Sequence, residues 1–297
     1  MTPHDVISAQ NILGEGIQWH ARSGLWWTDI EQSQILHRPV GTEDVVRIDM
    51  PERVGAFALP EGDDTRLLCA FETGIGWFDL VRAEISWVAR PEEGAGGRRF
   101  NDGRVDRQGR FWAGTMVEDE KLALPSSAAL YCFDGRRLRR CHEQIGISNG
   151  LAWSPDGQVM YFADSSARKI FAFDFDTSCG ALSGKRLFAD TPTGAYPDGA
   201  TVDADGCLWS AHWGASQLVR YSPRGEIDRV IELPVSQPSC VEFGGESLDQ
   251  LFVTTARAGL KPETLAFEPL AGEVLIYRLG VTGLAQERFR PDHAWGV

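Results

Sequence analysis

Six short hydrophobic segments recur along this chain at nearly even spacing, and no other feature constrains its fold so tightly. They read GLWWTDI (24–30), RLLCAFE (66–72), GRFWAGT (109–115), VMYFADS (159–165), CLWSAHW (207–213) and QLFVTTA (250–256). Their matched central residues are Trp27, Cys69, Trp112, Phe162, Trp209 and Phe252, with steps of 42, 43, 50, 47 and 43 residues. A strand-built repeat of this length buries its apolar faces by radial stacking, as the blades of a β-propeller do. A second strand-like segment follows each of the six: 34–40, 74–80, 129–135, 169–175, 217–223 and 273–279. These alternate with period two, and turn signals such as Asp156-Gly157 and Asp205-Gly206 separate the strands.

The expectation is an all-β, six-bladed β-propeller with four-stranded antiparallel blades around a central channel. Six blades of about 45 residues use nearly all of the 297 residues, so residues 1–297 read as one domain. The segment from Asp5 to Ile12 is expected to pair with the last repeat and close the ring, removing exposed sheet edges. Two stretches break the pattern. Residues 257–272 read as a helical turn or a lid loop, and residues 118–128 as a second candidate lid.

Charge narrows the partners. With 29 basic and 42 acidic residues the net charge is −13, which argues against nucleic acid and against an anionic membrane surface. The N-terminus lacks a basic and apolar leader pattern, and no run approaches eighteen apolar residues, so a cytoplasmic location is expected. Nothing indicates an obligate protein partner. The six cysteines form no C-x-x-C pair and read as buried, reduced thiols.

The repeat also locates a site. Ahead of each aromatic strand lies an element that reads as the innermost strand of its blade. Its first residues are Glu15, Val54, Asp102, Asn149, Asp198 and Ser239, at steps of 39, 48, 47, 49 and 41. Glycine follows in five of the six, permitting close packing near the axis or an unusual φ. One repeated phase thus brings three acids and one amide to one mouth of the channel. Three converging carboxylates repel one another unless they take up protons or share a cation. Oxygen donors of this kind suit calcium, magnesium or manganese, and tolerate zinc or iron(II). The six histidines show no metal-binding spacing; His212, with Trp213 beside it, stands where a strand exits and is a candidate to line the pocket.

The segments GEGIQWH (14–20), RRFNDGRVDRQGRFWAGTM (98–116), ISNGLAWSPDG (147–157) and YPDGATVDADGCLW (196–209) resemble the gluconolactonase–regucalcin (senescence marker protein) family. The resemblance runs the length of the chain, and TTARAGL (254–260) is similar to bacterial sugar lactonases of that family. It implies one catalytic divalent metal held by Glu15, Asn149 and Asp198. It also implies substrate contacts from Arg99 and Asn101, and from an acid after the G-T-M motif, here Asp119 in place of the family's glutamate. Asp198 takes the acid/base role in this reading, with Asp102 as a supporting residue or alternative base. The implied reaction is hydrolysis of a small-molecule sugar lactone to the aldonic acid, in carbohydrate catabolism. Two alternatives share the scaffold: a calcium-dependent phosphotriesterase or paraoxonase-like esterase, and a non-catalytic metal-binding propeller.

Overall fold

In a computed structural model, residues 1–291 are described; they form six four-stranded antiparallel sheets arranged as a ring. The innermost strands are Gly14–His20, Val54–Ala58, Arg98–Val105, Ser148–Trp153, Tyr196–Val202 and Pro238–Gly244. Each is followed outward by an aromatic strand: Gly24–Asp29, Arg66–Phe71, Phe111–Val117, Val159–Asp164, Leu208–Trp213 and Gln250–Thr255. The expected six-bladed propeller is the observed fold. All six repeat centres are buried, from Trp27 and Cys69 in the first two blades to Phe252 in the last. The hydrophobic core therefore lies between neighbouring blades, where removal of a large aromatic costs about 3–5 kcal/mol.

The turn chemistry also has a tertiary use. Asp106 and Asp203 each close an Asp-x-x-Gly turn and accept a hydrogen bond from a core tryptophan. Trp112 Nε1 donates to Asp106 at 2.9 Å and Trp209 Nε1 to Asp203 at 2.8 Å. A buried indole thereby meets its one polar requirement.

Ring closure uses a shorter strand than expected. Asp5–Ile7 pairs antiparallel with Val274–Tyr277 and completes the sixth blade. Pairing stops there because the next amides turn to side chains. Those of Ala9 and Gln10 donate to the Glu273 carboxylate, and those of Ile12 and Leu13 to Asp29. Residues 257–272 contain a single short helix, Pro262–Phe267. The cysteine expectation needs correction in part: all six are free, but Cys179 is exposed and Cys141 half-buried. Among the described residues no helix is long and apolar enough to cross a membrane.

Each innermost strand carries one extra residue relative to its neighbour, placed at the ring position. Glu15 pairs with Thr28 but Gln18 with Trp26; Asn149 pairs with Ala163 but Ala152 with Tyr161. The same slip follows Val54, Phe100, Pro197 and Pro238. Such a bulge re-aims side chains that would otherwise alternate across the sheet. Glycine makes it possible. Gly150 has φ +60°, and a Cβ on Gly199 would stand 2.5 Å from the Cys240 sulfur of the next blade.

Candidate active site

The bulges bring Glu15, Asn149 and Asp198 to one pocket of about 320 Å³, shared with Arg99, Asn101 and Ser165. Its apolar wall is made by Leu13, Met116, Ile147, Tyr196 and Trp213. That volume lies at the small end of the ligand-site range of about 300–1,000 Å³. Glu15, Arg99, Asn149 and Asp198 are all buried.

Burial in company with like charge sets the electrostatics. Desolvation, and then the nearby Asp102 charge, push Glu15 up to about 8. Desolvation, followed by Glu15 and Asp102, raises Asp198 well above an ordinary aspartate. Burial raises Asp102 as well. The Arg99 charge offsets the rise of Glu15 and Asp198 only in part.

Hydrogen bonds leave this cluster unfinished. Asp198 Oδ1 is buried with no hydrogen-bond partner among the described residues. Glu15 has one long contact, from the Gly16 amide at 3.2 Å. Buried carboxylates normally have their acceptor positions filled, so an orphaned oxygen beside a second carboxylate is relieved either by a proton or by a shared cation. Among the described residues no three His, Cys, Asp or Glu side chains group closely enough to hold a metal on their own. A cation here would take the Asn149 amide oxygen as its third protein donor. Two carboxylates and one amide form a hard oxygen set, which fits a divalent ion.

The other sequence candidates separate. Asn101 joins the site: its Nδ2 donates to Asn149 Oδ1 at 3.1 Å, and its Oδ1 accepts from Arg99 Nη1 at 2.9 Å. Asp102 is outside the pocket lining, with its carboxylate turned to the Leu151 amide at 3.2 Å. Asp119 caps its own turn, accepting from the Lys121 amide at 2.8 Å. The preceding residue, Glu118, is also outside the pocket lining but touches a lining residue, accepting from Arg99 Nε at 2.8 Å. Glu118 also takes both Nη groups of Arg53 at 2.9 Å. Burial pushes Glu118 up, but the hydrogen bonds from Arg53 and Arg99 outweigh it and bring it down to about 2.

Trp213 lines the pocket, whereas its neighbour His212 is buried with Nε2 3.2 Å from the Tyr221 hydroxyl. Val54 and Ser239, the ring positions without acids or amides, serve the framework. The Val54 carbonyl accepts from Thr28 Oγ1, and Ser239 Oγ donates to the Gly14 carbonyl, each joining two blades. Sequence reasoning missed Glu118, Arg53 and Ser165. Arg53 directly precedes the ring residue Val54, the one local signal that would have drawn attention to it.

A six-bladed propeller with a buried oxygen-donor cluster at one channel mouth is thus the class this fold and site define. Residues 13–257 match the SMP-30/Gluconolactonase/LRE-like region, and the chain belongs to that family. It is 38% identical to an L-arabinolactonase of Azospirillum brasilense, over 94% of this chain and 93% of that one. It is 34% identical to a 6-deoxy-6-sulfogluconolactonase of Pseudomonas putida, over 96% and 97% of the two chains. Among solved structures it is similar to a calcium-binding protein, regucalcin, from Agrobacterium tumefaciens. That likeness has a TM-score of 0.90 at 26% identity and covers 98% of each chain.

Proposed function

We propose that this protein is a metal-dependent lactonase that hydrolyses a sugar lactone to the open aldonic acid. The observation that carries the reading is the orphaned, buried Asp198 Oδ1 beside Glu15 and Asn149, in one small pocket with Arg99 and Asn101. Kinship to two sugar lactonases supports the substrate class. Glu15, Asn149 and Asp198 would hold the metal. A bound divalent cation supplies a Lewis acid for the lactone carbonyl and lowers the pKa of water.

The chain's own residues do the rest. The Asn101 amide and the Arg99 guanidinium offer the mixed donors and acceptors that sugar hydroxyls need. Trp213 and Tyr196 give the sugar's C–H faces an apolar wall, and Leu13, Met116 and Ile147 exclude bulk water. Asp198 moves the proton. It accepts one from water as the new C–O bond forms, and returns it to the ring oxygen as the ester C–O bond breaks.

A pH-indicator assay of pentono- and hexonolactones tests this, using chelator-stripped protein before and after addition of Mn²⁺, Zn²⁺ or Ca²⁺. Turnover that vanishes on stripping and returns with metal is the expected result. Hydrolysis of an organophosphate with no lactone turned over would replace the reading with an esterase on the same scaffold. Metal uptake without turnover of either would leave a binding propeller.

A further inference from the structure

The Asn149 amide is held in one orientation by a hydrogen-bond chain that runs in a single direction. Arg99 Nη1 donates to Asn101 Oδ1 at 2.9 Å, and Asn101 Nδ2 donates to Asn149 Oδ1 at 3.1 Å. Asn149 Nδ2 then donates to Ser165 Oγ at 2.8 Å, and Ser165 Oγ gives its one proton to the Pro197 carbonyl at 2.6 Å. Both ends fix the sense of the chain, because a guanidinium only donates and a carbonyl only accepts.

Turning the Asn149 amide over would break the chain twice. Its oxygen would face the Ser165 oxygen, whose proton is committed to Pro197. Its NH₂ would face the NH₂ of Asn101. In the observed sense the amide nitrogen is consumed by Ser165, and Oδ1 keeps a second acceptor position beyond the one that Asn101 fills. Ser165 is 5% exposed and lines the same pocket as Glu15 and Asp198. Its acceptor residue, Pro197, immediately precedes Asp198. One hydroxyl therefore links the strand that presents Asn149 to the strand that presents Asp198.

The geometry points to Ser165 as a positioning residue for the divalent cation: its hydroxyl decides which atom of Asn149 is offered to the ion and ties that donor to the Asp198 strand. The inference rests on the metal reading above. In this role Ser165 acts through Asn149 and not as a donor to the ion. Loss of such a supporting partner typically weakens metal affinity about 10–100-fold.

The test titrates Mn²⁺ into chelator-treated full-length protein and follows free Mn²⁺ by electron paramagnetic resonance. Thermal unfolding is recorded without metal. Ser165→Ala should stay folded, with a metal-free unfolding midpoint a few degrees below the wild type because the Asn149 amide and the Pro197 carbonyl lose a partner, while its Mn²⁺ affinity falls about 10–100-fold; Ser165→Thr should recover most of both losses. Ser165→Ala binding Mn²⁺ as the wild type does, while Asn149→Ala loses it, overturns the role of Ser165 and leaves the metal reading standing. An equal loss in Ser165→Thr and Ser165→Ala also overturns it. A wild-type protein that takes up no Mn²⁺ removes the metal reading itself, and this inference with it.

Discussion

The two ends of the channel are built on the same six strands and hold their charges in opposite ways. Along the strand Arg98–Val105, Asp102 belongs to the pocket end and Arg104, two residues on, to the other. At the far end Arg104 forms a buried ion pair with Glu242. Glu242 also accepts from Thr201 Oγ1 at 3.1 Å and from the Phe243 amide at 2.8 Å. A C-terminal strap crosses this end. It bridges from Gly283, opposite Asp203, to Phe289, beside Pro60, and the Arg107 guanidinium donates to its Ala285 carbonyl. Phe289 is fully buried, with its ring stacked on Phe133. At the pocket end the carboxylates have no such closure, and Asp198 Oδ1 is left bare. The contrast teaches that a buried charge in this channel is not by itself a sign of function. The paired Arg104 and Glu242 belong to the frame, while the unrelieved carboxylates Glu15 and Asp198 draw attention to the pocket.

The comparison can be broken from either end. The largest effect is expected at the pocket. Asp198→Asn should lower kcat roughly 10²–10⁴-fold, the usual weight of a positioned acid or base, with the far-UV circular dichroism spectrum unchanged. Near-wild-type turnover would remove Asp198 from the chemistry. At the far end Glu242→Ala should instead destabilise the protein by about 3–5 kcal/mol in urea unfolding, because the Arg104 charge is left buried and unpaired. Its lactonase activity, measured well below the unfolding midpoint, should stay close to wild type. A large activity loss without a stability loss would show that the two ends are not separate.

A third, smaller effect tests the wall behind the pocket. Burial holds His212 down at about 4, against 6.5 for a free histidine. A depressed histidine adds stability that is fully present above pH 6.5 and is lost as the pH falls toward 4, by at most about 3 kcal/mol. His212→Gln should therefore flatten the acid limb of a stability–pH curve between pH 6.5 and about 4. An unchanged limb would mean that His212 is not buried in its neutral form.

The smallest effect belongs to Glu118, which is partly exposed. Its lowered pKa contributes stability above pH 4.5 that fades as the pH falls toward about 2. Glu118→Gln should cost only about 0.2–1 kcal/mol at neutral pH, as solvent-screened pairs do. It should raise KM more than it lowers kcat, since it frees Arg99 rather than the carboxylate cluster. Equal losses in both parameters would count against that separation.

Much of this architecture is legible in the sequence, because a propeller repeats it. Trp27, Trp112, Phe162 and Trp209 mark four of the blades, and carrying their phase back to the inner strand reaches Glu15, Asp102, Asn149 and Asp198 without any contact being known; the family resemblance is needed to single out Glu15, Asn149 and Asp198. Asp119 shows where that reasoning stops. Counting residues after a motif cannot tell which of two adjacent acids turns inward, and the loop turns Glu118 onto Arg99 while Asp119 caps its own turn. Ser165 illustrates a different limit. A serine at the end of a strand reads as nothing special until its proton is followed to the carbonyl of Pro197 in the next blade.

The sequence by itself determined the period, the strand pattern and the residues that share the channel phase, since each is a local property repeated six times. Only the tertiary structure decided which of those residues are satisfied. Arg104 and Glu242 are 138 residues apart, and their pairing leaves no periodic trace. The same holds for the bare oxygen of Asp198 and for the direction of the chain from Arg99 to Pro197. Compensation of a buried charge depends on what lies across a gap of a few ångströms, and that is fixed by the closure of the ring.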